Sequence, residues 1–187
     1  MLFRSPAVPE DGRGLDRAAR GGTALNVALG LAVGYLLGSL SFARIVGRRV
    51  APDVDVTRVS KTLESGDAFE ISSASATAVR IKLGKRWGLL TGFLDMLKVA
   101  VPMLAARALG EPIAVEVAIA AGGLIGHVLP VYHRFHGGRG ESPTYGAVFA
   151  LDPIGVLVSL ACGTVAGFVG GHVLVLRETP LLFLAGW

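Results

Sequence analysis

The chain has 187 residues, 52% of them hydrophobic, with a mean hydropathy of +0.59 and a formal net charge of +4. That apolar content excludes an ordinary soluble domain of this size and calls for helical spans of about 20 apolar residues each. The basic residues flank apolar stretches, so the expected partners are anionic headgroups and phosphorylated substrates, not nucleic acid.

Residues 1–22 read as a polar N-terminal tail, with Arg4, Arg13, Arg17 and Arg20 among prolines and glycines. Residues 23–187 read as one transmembrane domain. Its first span covers about 24–46, too long for a signal-peptide core and without a small-residue cleavage site. Gly30, Gly34 and Gly38 recur within it at a spacing of four, which lines small residues along one helix face and suits close helix packing in a bilayer.

Residues 47–87 form the one long polar loop. It carries eight basic residues: Arg48, Arg49, Arg58, Lys61, Arg80, Lys82, Lys85 and Arg86. Leu63-Glu64-Ser65-Gly66-Asp67 within it has the composition of a turn. The stretch 71–79, rich in Ser and Ala, offers little bulk for a core.

A second span is expected over about 88–109 and a third over about 113–131. Gly110-Glu111-Pro112 joins them, short enough to make the two helices antiparallel neighbours. Asp95 and Lys98 lie inside the second span, three residues apart and so on one helix face. Ionisable groups at such depth are costly and face the bundle interior, either as a structural ion pair or near a charged substrate. Glu116, in the third span, has no partner evident in the sequence. Residues 143–151 are apolar but short for a crossing, Asp152-Pro153 interrupts them, and 154–176 is long enough for a fourth full span. Cys162, the only cysteine, lies in that run and reads as a small buried residue. The fold class expected is therefore all-α, a polytopic transmembrane bundle of four full spans plus one short apolar segment.

The third span ends in Gly126-His127-Val128-Leu129-Pro130 and runs into Gly137-Gly138-Arg139-Gly140. Glycines let a backbone approach a ligand closely, free N–H groups in such a turn make an anion-binding concavity, and Arg139 adds a planar cationic fork. The turn reads as a phosphate cradle at a membrane surface, with His127 about one helical turn before the third span ends. His127, His133 and His136 lack the carboxylate or thiolate company of a metal site, so no metal is expected. Lysine and arginine counts set the orientation. The 47–87 loop and the 132–142 turn share the more basic side, which makes them cytoplasmic and puts the N-terminus outside.

Taken together, these segments resemble the bacterial PlsY family of acyl-phosphate-dependent glycerol-3-phosphate acyltransferases. The similarity rests on Gly34-Tyr35-Leu36-Leu37-Gly38-Ser39-Leu40-Ser41-Phe42, on Leu83-Gly84-Lys85-Arg86-Trp87-Gly88 followed by Leu94-Asp95-Met96-Leu97-Lys98, and on the 126–140 segment. It covers about 33–176. It implies a multi-pass enzyme of the bacterial plasma (inner) membrane. The enzyme would transfer an acyl group from acyl-phosphate to glycerol 3-phosphate, giving lysophosphatidic acid for phospholipid synthesis, with membrane lipid around it and no cofactor. By the same resemblance, Gly137, Gly138, Arg139 and Gly140 bind the substrate phosphate, and Ser65, Arg80, His127 and Lys98 are catalytic. The chain departs from the family pattern where Glu64-Ser65-Gly66-Asp67 and Ser75-Ala76-Thr77-Ala78 replace Asn-bearing turns, with extra residues between them. Arg139 stands for a lysine, and the family's last motif and span are not clear, so the chain reads as a divergent, C-terminally shortened member. The alternative is an inactive paralogue that binds lipid or a membrane partner. A transporter would call for paired or inverted repeats, and the sequence shows none. The sequence leaves the oligomeric state open.

Overall fold

The structure, a computed structural model, describes residues 11–62, 68–158 and 161. Its elements in chain order are α1 (Asp11–Gly38), α2 (Phe42–Val50), β1 (Arg58–Thr62), β2 (Ala68–Ser72), α3 (Ala76–Leu83), α4 (Lys85–Ala108), α5 (Ile113–Val128), a 3-10 turn (Val131–His133) and α6 (Glu141–Leu151). Three helical segments are long and apolar enough to cross a membrane: Gly21–Val50, Lys85–Ala108 and Ile113–His133. They match the first three expected spans. The expected fourth lies mostly outside the described residues, as does Cys162. Its beginning is visible as a helical run at 153–158, which Asp152 caps by accepting from Gly155 N at 2.9 Å. Proline at the first helical position after an aspartate cap is a favoured helix start.

Two details differ from the sequence reading. Helix α1 begins at Asp11, inside the stretch read as a polar tail, because Leu15, Arg17, Ala18, Ala19 and Arg20 are good helix formers continuous with the span. The first span is also not one helix. It breaks at Ser39–Ser41, where Ser39 Oγ accepts from Val131 N (3.3 Å) and donates to Tyr35 O (2.8 Å). The chain then restarts as the short amphipathic helix α2, whose buried face is Ala43, Val46 and Gly47.

Helices α1 and α5 make the closest crossing. A side chain at Gly34 would strike the backbone of Ile119, one at Gly38 the backbone of Gly123, one at Gly122 that of Leu31, and one at Gly126 that of Tyr35. The glycine face read from the sequence is thus one half of a two-sided contact in which backbones nearly touch. The second and third spans are antiparallel, as their short link requires. The link is a Schellman cap: Gly110, at φ +77°, donates to Arg107 O and Glu111 N donates to Ala106 O, both at 3.0 Å.

A first core joins Val99, Ala100, Met103 and Ala106 of α4 to Val115 and Ile119 of α5 and Ala150 of α6. At the far end of the bundle from α2, Arg107 Nε donates to Glu116 Oε1 at 3.2 Å and Arg107 Nη1 donates to Ala150 O at 2.8 Å. Glu116 therefore has a partner that spacing alone does not reveal.

The long polar loop is structured. It contains an antiparallel hairpin, with Arg58 opposite Ser72 and Thr62 opposite Ala68. This is the one exception to the all-α expectation among the described residues. Its second strand alternates Phe69 and Ile71 with Glu70 and Ser72, the period-two pattern of a strand. Before it, Asp55 Oδ1 accepts from Thr57 N at 2.8 Å and from Thr57 Oγ1 at 2.6 Å, which holds the Asp55 carboxyl below the usual carboxylate range. After it, Ala74 and Val79 bury against Ala43, Val46 and Val56 as a second core, so the Ser/Ala-rich stretch packs despite its small side chains. This core clamps α2 and α3 beside the N-terminal half of α4.

Candidate active site

Where α3, α4, α5 and α6 meet, a small open cleft forms. Its walls are Ser75, Ala76 and Thr77 at the start of α3, Asp95 of α4, His127 of α5, and Arg139, Gly140, Glu141 and Ser142 at the start of α6. Each segment reaches the cleft through a helix end or a buried polar group. Ser75 is the N-cap of α3 and accepts from Ala78 N at 3.3 Å. Helix α6 starts from Gly140 in the left-handed region (φ +89°), with no side-chain cap. Its first residues, Glu141 and Ser142, line the cleft at the positive end of the helix dipole, an arrangement that favours anions.

The Gly-rich turn works differently from its sequence reading. Gly138 N does not point at a ligand; it donates to His127 O at 3.0 Å. A side chain at Gly137 would strike the carbonyl oxygens of His127 and Val128, and one at Gly138 would strike His127 Nε2. These two glycines are small because the turn folds against His127. Arg139, Gly140 and the start of α6 are the parts of this segment that line the cleft. The Arg139 guanidinium is half exposed and lies 3.4 Å from Glu141 Oε1.

Behind the cleft, Lys98 Nζ lies 2.7 Å from Leu40 O, 2.8 Å from Asp95 Oδ1 and 2.9 Å from His127 Nδ1. Asp95, Lys98 and His127 are all buried. The break between α1 and α2 supplies the Leu40 carbonyl, which explains why the first span is interrupted there: a continuous helix would keep that oxygen for its own ladder.

Of the residues expected to act, His127, Arg139 and Gly140 line the cleft, and Gly137 and Gly138 shape it from behind His127. Lys98 does not line it; the lysine is committed to Asp95, Leu40 and His127. Arg80 does not line it either: it lies one turn beyond Thr77 on α3, its Cβ against Gly88. Ser65 lies outside the described residues. Ser75 and Thr77 stand in the stretch set against the family's Asn-bearing turn but were not among the residues expected to act, and Ser142 belongs to no motif that the sequence offers. Asp95 was visible only as a partner for Lys98.

A family model described as glycerol-3-phosphate acyltransferase matches residues 28–182. The chain belongs to that family. A glycerol-3-phosphate acyltransferase of Geotalea daltonii is 36% identical over 130 residues, 68% of this chain and 59% of the relative. One of Aquifex aeolicus is 32% identical over 126 residues, 67% of this chain and 59% of the relative. The chain thus spans about 59% of the length of these relatives. Among solved structures, it is similar to PlsY, an integral membrane glycerol 3-phosphate acyltransferase, in its glycerol 3-phosphate form. The TM-score is 0.59 at 27% identity, covering 86% of this chain and 78% of that one. The lysophosphatidic acid form gives 0.58 at 26% identity with the same coverage. Family and bundle are those that the motifs of residues 34–42, 83–98 and 126–140 imply.

Proposed function

We propose that this chain is a multi-pass acyltransferase of the bacterial inner membrane, with its N-terminus outside and the cleft on the cytoplasmic side. It moves an acyl group from acyl-phosphate to glycerol 3-phosphate. The attacking hydroxyl oxygen forms the new ester bond to the acyl carbon, the acyl carbon–phosphate oxygen bond breaks, and the phosphate departs with the two bonding electrons. The hydroxyl proton passes to the departing phosphate or to water. The products are lysophosphatidic acid and inorganic phosphate. The observation that carries the reading is the recessed polar cleft. There the uncapped start of α6 and Arg139 face His127, Ser75 and Thr77 at one end of an apolar bundle. Such a place suits a phosphate-bearing water-soluble acceptor beside an acyl chain in the bilayer. Donors fixed in a partly dry site stabilise charge on a transferring group far better than water does. In these terms Arg139, Gly140 and the first N–H groups of α6 hold phosphate, and Ser75, Thr77 and Ser142 offer hydroxyls to the glycerol backbone.

The test is an assay of the purified chain in detergent or nanodiscs with acyl-phosphate and glycerol 3-phosphate, following lysophosphatidic acid and released phosphate. Formation of both in equal amounts supports the reading. Glycerol 3-phosphate binding without turnover would instead establish the inactive paralogue.

A further inference from the structure

The cluster behind the cleft determines which nitrogen of His127 carries its proton. Lys98 as an ammonium has three N–H donors and no acceptor. Three acceptors surround it at 2.7–2.9 Å: Leu40 O, Asp95 Oδ1 and His127 Nδ1. The Asp95 contact is a charge pair more than a directed bond, since Oδ1 has no well-aligned donor among the described residues. The cluster holds one acid and two bases away from water, so it is neutral when a single proton is shared by the bases. Lys98 Nζ donates to Leu40 O and pairs with the Asp95 carboxylate, the contacts of an ammonium, so in the neutral cluster the proton is on Lys98 and His127 is the neutral imidazole.

A neutral imidazole has one N–H. If it were at Nδ1, two N–H groups would face each other across 2.9 Å, and Asp95 Oδ1, at 3.6 Å, lies beyond hydrogen-bond reach. The N–H is thus at Nε2. That edge of the ring lies against Gly138 at the cleft and has no hydrogen-bond partner among the described residues.

We propose that Lys98 is a positioning residue that locks His127 in its Nε2–H tautomer, so that His127 enters the reaction as a hydrogen-bond donor to a phosphate oxygen and not as a general base. The catalytic half of this inference rests on the acyltransferase reading; the tautomer does not. In this arrangement the Asp95 carboxylate anchors the ammonium, the interruption after α1 supplies its second acceptor, and the imidazole takes the third N–H. Removing Lys98 leaves His127 free to exchange tautomers while the rest of the cleft wall stays in place.

The experiment is nitrogen NMR of the full chain labelled with 15N-histidine in detergent micelles at neutral pH. The His127 signals are assigned by their loss in His127→Gln. The expected spectrum has an unprotonated Nδ1 and a protonated Nε2, and the Nε2 signal moves on addition of glycerol 3-phosphate. Inorganic phosphate alone moving it equally assigns the contact to the phosphate group. A protonated Nδ1, or a doubly protonated ring, overturns the lock. Lys98→Met, checked for a monodisperse profile, should convert the two distinct signals into an exchange-averaged pair; unchanged signals overturn the role of Lys98. In turnover, His127→Gln, which keeps an N–H donor, should retain at least ten-fold more activity than His127→Ala, and equal losses overturn the donor role. A wild-type chain with the locked tautomer and no acyl transfer would refute the enzyme reading alone.

Discussion

His127 and Gly138 hold each other in place: Gly138 N donates to His127 O at 3.0 Å, and His127 Nε2 fills the space where a side chain at 138 would stand. The turn after the third span and the ring in the cleft therefore move as one. Gly138→Ala must push the imidazole aside or open the turn. Overpacking of this kind costs about 1–3 kcal/mol of stability. A ring misplaced by about 1 Å is expected to lower kcat roughly 100-fold. The check is kcat of the variant beside its thermal midpoint. A folded Gly138→Ala protein with wild-type turnover would remove His127 from the chemistry.

Arg139 is a half-exposed cation on the cleft wall, and Glu141 competes for it at 3.4 Å. Arg139→Ala should raise KM for glycerol 3-phosphate roughly 10- to 100-fold, the worth of one charge-assisted hydrogen bond of about 1.5–3 kcal/mol. Glu141→Gln should act the other way and tighten binding by a few-fold, since an exposed pair is worth at most about 1 kcal/mol. Steady-state kinetics of the two variants test the opposition in sign.

Much of the architecture was legible because hydropathy and helix punctuation report directly on what a bilayer demands. The three described spans, the antiparallel turn at Gly110 and the break at Asp152-Pro153 all follow from runs of apolar residues and the conformations of Gly and Pro. The interruption at Ser39–Ser41 was not legible, because it is created by contacts with Val131 and Lys98, far away in sequence. The hairpin at Arg58–Thr62 and Ala68–Ser72 hid in a loop whose charges dominate its reading. The site was half legible. His127, Arg139 and Gly140 stood out by type and spacing, whereas the exclusion of Lys98 from the cleft depends on three contacts, two of them from other segments of the chain. Arg80 was drawn in by the family resemblance, and it lies one turn beyond Thr77 on α3, off the lining of the cleft.

Gly34 sits where α1 and α5 nearly touch, over the backbone of Ile119. Gly34→Leu cannot be accommodated by a rotamer change, because the obstacle is main chain. The expected outcome is loss of the monodisperse species in detergent. Exposed Leu36 of the same helix tolerates Leu36→Ala with little change. Size-exclusion profiles of the two variants provide the comparison.

Arg107 closes the far end of the bundle by donating to Glu116 and to Ala150 O. Arg107→Ala leaves the Glu116 carboxylate, only 4% exposed, without its cation. Stranding a buried polar group costs about 1–3 kcal/mol, more if it stays charged. The paired change Arg107→Met with Glu116→Gln should recover much of that loss, because no buried charge remains. Thermal unfolding of the single and double variants measures the difference, and kcat should be unaffected in both once folded.

The end of the bundle that carries the cleft also carries Arg44, Arg48, Arg49, Arg58, Lys82, Lys85, Arg86, Arg134 and Arg139, while Arg107 and, in the first part of α1, Arg13, Arg17 and Arg20 lie toward the opposite end, a smaller number. Basic residues near span ends are retained in the cytoplasm, so the cleft should open there. Asp53, beside the cleft end, and Leu109, at the opposite end, are both exposed and serve as markers. In a Cys162→Ser background, Leu109→Cys should react with an impermeant maleimide in intact cells, and Asp53→Cys only after the membrane is opened. The reverse pattern would place the cleft outside, away from any cytoplasmic supply of glycerol 3-phosphate, and with it would fall the assignment of the cleft as the acyl-transfer site.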